Sequence, residues 1–274
     1  MTDKVDEAAA AMNTSDWVPP LARAGFVARG IIYLLIGGLA LLSAMGRGGS
    51  TQDSRGALET LMGSTGGWIL LLLIGLGLLG LAVWRIVQAV LDVDCHGKDA
   101  KGWFIRSGFL VNAIVHIGLA IWAITRAIGN ARGADGDTQK EWTVWLMGQP
   151  FGRWLVALVG VVIIGIGVFQ IRKGWKSKFL KYLRISDHFA TKLIPVCRFG
   201  LIARGVSFAI IGGFFIYAGW TYNANEAGGL KQAFDTVRGV AFGQILLGTL
   251  ALGFVAFAIY SFVEARYRKI DLPT

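Results

Sequence analysis

The chain has 274 residues, of which 54% are hydrophobic and only 16% are charged, and its formal net charge is +10. Soluble domains carry about 25% charged residues. The composition therefore excludes a disordered or collagen-like chain and argues against a soluble α/β enzyme. Two cysteines are too few for a disulfide framework. What remains is the composition of a polytopic membrane protein.

The first twenty residues are polar. They include four acidic residues and no continuous apolar segment, which excludes a cleavable signal peptide. We expect residues 1–20 to form a cytoplasmic leader.

Six later stretches are long and apolar enough to cross a bilayer, since a spanning helix needs about 20 apolar residues. They are residues 25–45, 68–90, 107–128, 154–171, 200–222 and 240–263. Each is apolar on all sides, as contact with lipid requires. Too little polar chain remains to cover six such helices in water. The sequence therefore predicts an all-α integral membrane protein with six transmembrane helices.

An eight-residue pattern opens the first, third and fifth of these stretches. It reads RAGFVARG from Arg23, RSGFLVNA from Arg106 and RFGLIARG from Arg198. A second glycine opens the even-numbered stretches, at positions 67, 152 and 243. The repeating unit is thus a hairpin of two helices, used three times.

Because each unit has two spans, all three units have the same orientation in the membrane and are parallel repeats. We predict three helical hairpins around a pseudo-threefold axis, at residues 21–97, 98–171 and 195–268. Residues 172–194 are expected to form a basic amphipathic interfacial linker, and residues 269–274 a cytoplasmic tail.

The triplicated R-x-G-aromatic/Leu-x-x-R-G-like pattern resembles the bacterial membrane proteins of the domain of unknown function 1206 family, in which such a pair of helices occurs three times. The resemblance covers residues 20–268. The middle copy departs from the pattern, since Asn112 and Ala113 replace Arg and Gly. The resemblance implies a membrane location and supplies no activity.

The basic residues predict the orientation of the protein. Of the 27 Lys and Arg residues, 19 lie on the side that holds both termini. Basic residues concentrate on the cytoplasmic side of membrane proteins. We therefore expect a multi-pass protein of the bacterial cytoplasmic (inner) membrane with both termini in the cytoplasm. Since this bias accounts for the positive charge, we expect no nucleic-acid partner.

Two arginines and an asparagine occupy equivalent positions one turn inside the predicted cytoplasmic boundary. They are Arg29, Asn112 and Arg204. Such side chains can extend to the lipid headgroups; alternatively, they form a layer at the axis that binds an anion or an anionic headgroup. A second equivalent set lies nearer the interface, where we expect it to contact lipid phosphates. This set is Arg23, Arg106 and Arg198.

His116 and Asn112 lie one turn apart on one face of the third helix. Tyr33 and Phe208 occupy the positions equivalent to His116, which favours a space-filling role. A proton relay, a pH-sensitive gate or a haem ligand is the alternative, although bis-His ligation would need a second intramembrane histidine. We expect Glu264 to pair with an arginine near the end of the sixth helix.

Cys95, His96 and Cys197 do not have the spacing of a structural zinc site. The sequence contains no nucleotide-binding, nucleophile or metalloprotease motif. We therefore predict no catalytic residues, no metal and no cofactor.

The segment from Arg172 to Lys192 contains seven Lys or Arg residues and one acidic residue. Its aromatic residues recur at near-helical spacing, which predicts an amphipathic helix on the cytoplasmic leaflet. The residues expected to contact anionic lipid are Arg172, Lys173, Lys176, Lys178, Lys181 and Arg184. In the outer loops, short interfacial helices are expected at residues 56–62 and 141–147.

Three functions remain open. A non-enzymatic module that binds membrane lipids, or supports a membrane protein partner, fits the basic linker and the glycine-rich spans. A small anion or anionic-lipid channel or transporter, with a path along the pseudo-threefold axis, would use the Arg29 layer. An intramembrane enzyme has no recognisable constellation of catalytic groups.

Overall fold

The computed structural model describes residues 17–129, 138–185 and 187–270, and the part of the chain so described contains helices and no β-strand. The six long helices are α1 (Val18–Ala44), α3 (Gly67–Leu91), α4 (Ala100–Ala127), α6 (Gly152–Trp175), α7 (Asp187–Thr221) and α9 (Gly243–Tyr267). Each contains a segment long and apolar enough to span a membrane. The predicted all-α class with six spans is confirmed. Most of the predicted leader and tail lies outside the described residues.

A short helix joins the two long helices of each hairpin, as expected in the first two. These helices are α2 (Ser54–Met62), α5 (Thr138–Met147) and α8 (Leu230–Gly239). Each time, the residue before the second long helix has a left-handed backbone. The glycine that follows lies so close to the short helix that a Cβ atom would be 1.7–2.4 Å from a carbonyl oxygen. This close approach explains the repeated glycines at 67, 152 and 243.

Among the long helices, α1 packs on α3, α3 on α4, α6 on α7 and α7 on α9, and α9 returns to pack against α1. The three contacts between successive hairpins use equivalent small residues. They are Gly75 with Ala120, Gly160 with Gly212, and Ala251 with Gly37. Small residues let helices approach closely in lipid, so these three seams share one packing mode.

The contact between the two long helices of a hairpin is not the same in all three hairpins, because the second hairpin differs from the other two. In the first and third, Ala28 meets Gly77 and Ala203 meets Gly253, and all four residues are buried. The corresponding residues of the second hairpin are Val111 and Val162, which are 57% and 46% exposed.

The second hairpin is open as a result. A Cβ atom added at Gly108 would meet nothing within 4 Å, whereas at the equivalent Gly25 and Gly200 it would collide with the facing helix. Helix α4 packs on α3, and α6 packs on α7, but α4 and α6 do not pack along each other. We call the resulting gap the α4–α6 opening. A threefold axis would require the three hairpins to pack alike, and the second one does not. The pseudo-threefold arrangement therefore stays a prediction.

Residues 172–194 do not form the continuous amphipathic helix expected from their periodicity. Helix α6 ends at Trp175, a 3₁₀ turn spans Lys178–Tyr182, and α7 begins at Asp187. Ser177 has a left-handed backbone, which turns the chain. Phe179 is buried and packs edge-on against Tyr260. The segment is therefore folded into the bundle.

Candidate functional site

A buried ion network lies at the end of the bundle formed by loops 92–99 and 176–185, which we call the basic end. Glu264 accepts hydrogen bonds from Arg29 Nη2 at 2.5 Å and from Arg268 Nη1 at 2.6 Å. Arg268 also donates to Asp94, with an N–O distance of 3.2 Å. All four side chains are largely buried. Two carboxylates thus compensate two arginines inside the bundle.

Arg29 does not extend towards the headgroups, one of the two alternatives that its sequence position allowed. Its Nε donates to Ser261 Oγ at 3.1 Å, and its guanidinium lies over the rings of Phe26 and Phe257. Arg268 is the arginine expected near Glu264. Arg29 is a second partner that local sequence could not supply, because the two residues are 235 positions apart.

Arg204 also points into the bundle. Its Nε donates to Tyr33 Oη at 2.8 Å, and its Nη1 donates to Gln170 Oε1 at 2.5 Å. Its guanidinium stacks over Phe208 at 4.6 Å. No carboxylate of the described residues contacts it, so its charge is held by neutral groups and aromatic faces.

Two further cations share this region without a carboxylate contact from the described residues. Arg85 donates from Nη1 to Gln88 Oε1 at 2.9 Å, and Lys173 donates to Tyr260 Oη at 3.2 Å. The charge of Glu264 acts most strongly on Lys173, and those of Arg268, Arg85 and Arg29 oppose it. We call the five cations and two carboxylates the polar layer. Its members are Arg29, Arg85, Lys173, Arg204, Arg268, Asp94 and Glu264.

Several buried atoms beside the polar layer have no hydrogen-bond partner among the described residues. They include Gln170 Nε2, Arg85 Nε and Asn112 Oδ1. Buried polar atoms in proteins are nearly always hydrogen-bonded. The layer therefore combines excess positive charge with unused donors and an unused acceptor, which suits it to an anionic ligand that also carries hydroxyl groups.

The internal repeat carries a signal for this site. Gln88, Lys173 and Glu264 are equivalent, since each lies 21 residues after the second glycine of its hairpin. Its place in the basic linker predicts lipid contact for Lys173. The structure places it instead at the end of α6 against Tyr260, part-buried.

His116 is part-buried on α4, and its Nδ1 lies 2.7 Å from the carbonyl oxygen of Asn112. That oxygen can only accept, so Nδ1 is the donor. The two side chains lie one turn apart as predicted, and a gating role for His116 stays a prediction. In the described part of the chain, no three His, Cys, Asp or Glu side chains could together hold a metal ion.

The second arginine set divides between surface and packing roles. Arg23 is exposed. Arg106 donates to the carbonyl oxygens of Ala89 and Val90, where it satisfies the C-terminal carbonyls of α3. Arg198 lies over the ring of Trp175.

The loop after α3 is held by Asp92, whose carboxylate accepts hydrogen bonds from the N–H groups of His96 and Gly97. Burial by itself raises the pKa of Asp92, but these hydrogen bonds and the nearby Arg106 outweigh it and hold the pKa below its usual value. The carboxylate is therefore ionised at neutral pH, and it orders the loop beside the polar layer.

Exposed basic side chains follow the linker on the outside of the basic end. We define the basic surface as Arg172, Lys176, Lys178, Lys181 and Lys269, all of which are exposed. Arg184, also predicted to contact lipid, is exposed beside them. Backbone hydrogen bonds join the linker to the end of α9, from Arg184 N to Tyr267 O and from Lys269 N to Tyr182 O. The basic surface is thus fixed to the bundle.

Three repeated helical hairpins with a charged interior define a polytopic α-helical membrane protein. The chain belongs to the family described as Domain of Unknown Function (DUF1206), whose model matches residues 24–92, 107–177 and 199–268. It is 31% identical over 261 residues to the "Uncharacterized protein YxxB" of Bacillus subtilis (strain 168), covering 94% of each chain. No solved structure matches. The family membership inferred from the repeated pattern is confirmed.

Proposed function

We propose that this protein is a non-enzymatic membrane module of the bacterial inner membrane that binds anionic phospholipid at the cytoplasmic leaflet. The basic surface carries the proposal. Each basic residue near an anionic membrane surface contributes about 1 kcal/mol of attraction. The exposed Trp175 stands beside these residues, and tryptophan favours the membrane interface. Because Phe179 anchors the linker, little conformational entropy is lost on binding.

Native mass spectrometry of the full chain from an equal mixture of phosphatidylglycerol and phosphatidylcholine tests this proposal. We expect wild-type protein to retain phosphatidylglycerol preferentially. The triple variant K176Q/K178Q/K181Q should lose on the order of 100-fold in that preference, because it removes three charges that each contribute about 1 kcal/mol.

The matched control is R47Q/R153Q/K231Q, which removes three exposed charges from the opposite end of the bundle. It should retain the wild-type preference. An equal effect of both triple variants, or no preference in wild type, would overturn the proposal.

A second candidate function is a path for a small anion or an anionic lipid through the bundle. It is favoured by the polar layer, in which five cations face two carboxylates, since rings of basic side chains select anions. We expect anion-selective flux in proteoliposomes that R29A/R204A abolishes and the exposed control R23A preserves. Flux no greater than in protein-free liposomes would reject this candidate.

A further inference from the structure

The α4–α6 opening exposes an aromatic side chain that the other two hairpins bury. Phe169 is 59% exposed, whereas its equivalents Trp84 and Tyr260 are 0% and 2% exposed. Val111 and Val162 at the same opening are exposed as well. The opening therefore presents an apolar surface to the bilayer in a hairpin whose counterparts are closed.

Buried polar atoms without partners in the described part of the chain lie in the helices that flank this apolar surface. Gln170, next to Phe169, is only 6% exposed, and its Nε2 has no hydrogen-bond partner among the described residues. Its Oε1 is already bound to Arg204. On the α3–α4 side, Arg85 Nε and Asn112 Oδ1 are also unpartnered within the described chain. Unpartnered donors and one acceptor are thus enclosed in the helices that flank the opening, α3 and α4 on one side and α6 on the other.

The charges at this place are unbalanced in favour of an anion. Arg85, Lys173 and Arg204 have no carboxylate contact within the described residues, although the charge of Glu264 acts on both Arg85 and Lys173 from a distance. Arg85 and Arg204 both act electrostatically on His116 of α4. Guanidinium groups form strong charge-assisted hydrogen bonds with phosphate oxygens. A phosphate would satisfy the unused donors, and a headgroup hydroxyl would satisfy Asn112 Oδ1.

The depth of the polar layer suits a lipid phosphate. Gln170 lies five residues before the end of α6, and Arg85 lies six residues before the end of α3. At a rise of about 1.5 Å per residue, both are about 8–9 Å from their helix ends. A phosphate held there lies just below the plane of the headgroups, and its acyl chains remain in the bilayer.

We infer that the α4–α6 opening is an intramembrane site for one anionic glycerol-headgroup phospholipid. The phosphate lies among Arg85, Gln170, Lys173 and Arg204, the headgroup hydroxyls face Asn112, and an acyl chain covers Phe169 and the exposed valines. The site shares helix α6 with the basic surface, but it uses none of the residues of that surface. The two proposals can therefore fail separately.

Site-specific photo-crosslinking tests this inference. A benzophenone amino acid replaces Phe169, in full-length protein in nanodiscs of phosphatidylglycerol and phosphatidylcholine, and the lipid adducts are identified by mass spectrometry. The control places the same group at Ile86, which is exposed on α3 at a similar depth. We expect phosphatidylglycerol to be enriched about fivefold at position 169 relative to the bilayer and to follow the bulk composition at position 86.

Two further variants separate the site from general lipid contact. Gln170→Leu should reduce the enrichment at position 169 to the bulk ratio. V111A/V162G recreates the small-residue contact of the other hairpins and should lower the total adduct yield at position 169, because it lets α4 approach α6. The triple variant of the basic surface should leave the enrichment at position 169 unchanged.

The inference is overturned if position 169 shows no enrichment, if position 86 shows the same enrichment, or if Gln170→Leu retains it. Competition by excess inorganic phosphate would also overturn it, since the site would then recognise a free anion. A cooperative thermal unfolding transition, measured for each variant, serves as the control that the variant is folded.

Discussion

Among single residues, Glu264 compensates the positive charges of two buried arginines. It lies between Arg29 and Arg268, and it is 2% exposed. Removing one partner from a buried ionic network leaves the opposite charge without compensation, which costs far more than the intact network contributes. The neutral isostere glutamine keeps the shape of the side chain and removes only the charge.

We therefore expect Glu264→Gln to lower the free energy of unfolding by about 3–5 kcal/mol. Thermal or denaturant unfolding in a fixed detergent measures the change. Glu141→Gln at an exposed position is the control, and it should have little effect. A stability equal to wild type for Glu264→Gln would show that Arg29 and Arg268 find other compensation.

At the scale of helices, packing depends on where small residues face each other. A Cβ atom at Gly200 would lie 2.4 Å from the backbone nitrogen of Phe257, whereas at the equivalent Gly108 it would meet nothing. Alanine at Gly200 must therefore push α7 away from α9. Alanine at Gly108 only improves helix propensity.

We expect Gly200→Ala to destabilise the protein by about 1–3 kcal/mol, as overpacked interiors do, and Gly108→Ala to be neutral or stabilising by up to about 1 kcal/mol. Unfolding midpoints of the two variants, measured in parallel, provide the comparison. Equal destabilisation by both would mean that the second hairpin is closed like the others.

The linker is a second element whose structure depends on one anchor. Phe179 is 1% exposed, and exposed lysines flank it along the chain. Phe179→Ala should destabilise the packed linker by about 3–5 kcal/mol. We expect faster tryptic cleavage after Lys176, Lys178 and Lys181 than in wild type. The exposed Phe104→Ala is the control, and unchanged cleavage in Phe179→Ala would contradict the anchoring role.

At the scale of the whole molecule, the distribution of basic residues predicts which end faces the cytoplasm. Cys95 is exposed at the basic end, and Cys197 is buried. We expect a membrane-impermeant maleimide to label Cys95 in inside-out vesicles and to leave it unlabelled in intact cells. With C95S as the background, Ser64→Cys at the opposite end should show the reverse pattern. Labelling of Cys95 from outside would invert the proposed topology.

The sequence alone predicted the spans, the hairpin repeat and two of the short helices. These features depend on local composition and on recurring glycines such as Gly67, whose spacing is visible without any structure. The linker was predicted less well. Its basic and aromatic periodicity favoured one amphipathic helix, but Ser177 turns the chain and the buried Phe179 holds the turn. Tertiary packing overrode the local preference.

The class of the protein, its six long helices and its family follow from the sequence alone, because apolar segments of spanning length and an internal repeat are visible in the order of residues. The pairing of Arg29 with Glu264 and of Arg204 with Gln170 depends on tertiary packing. The opening of the second hairpin depends on tertiary packing as well. Buried charges pair with residues on distant helices, and the distance between two helices depends on the side chains that face each other. A single segment of the sequence therefore determines neither the ion pairs nor the helix separation.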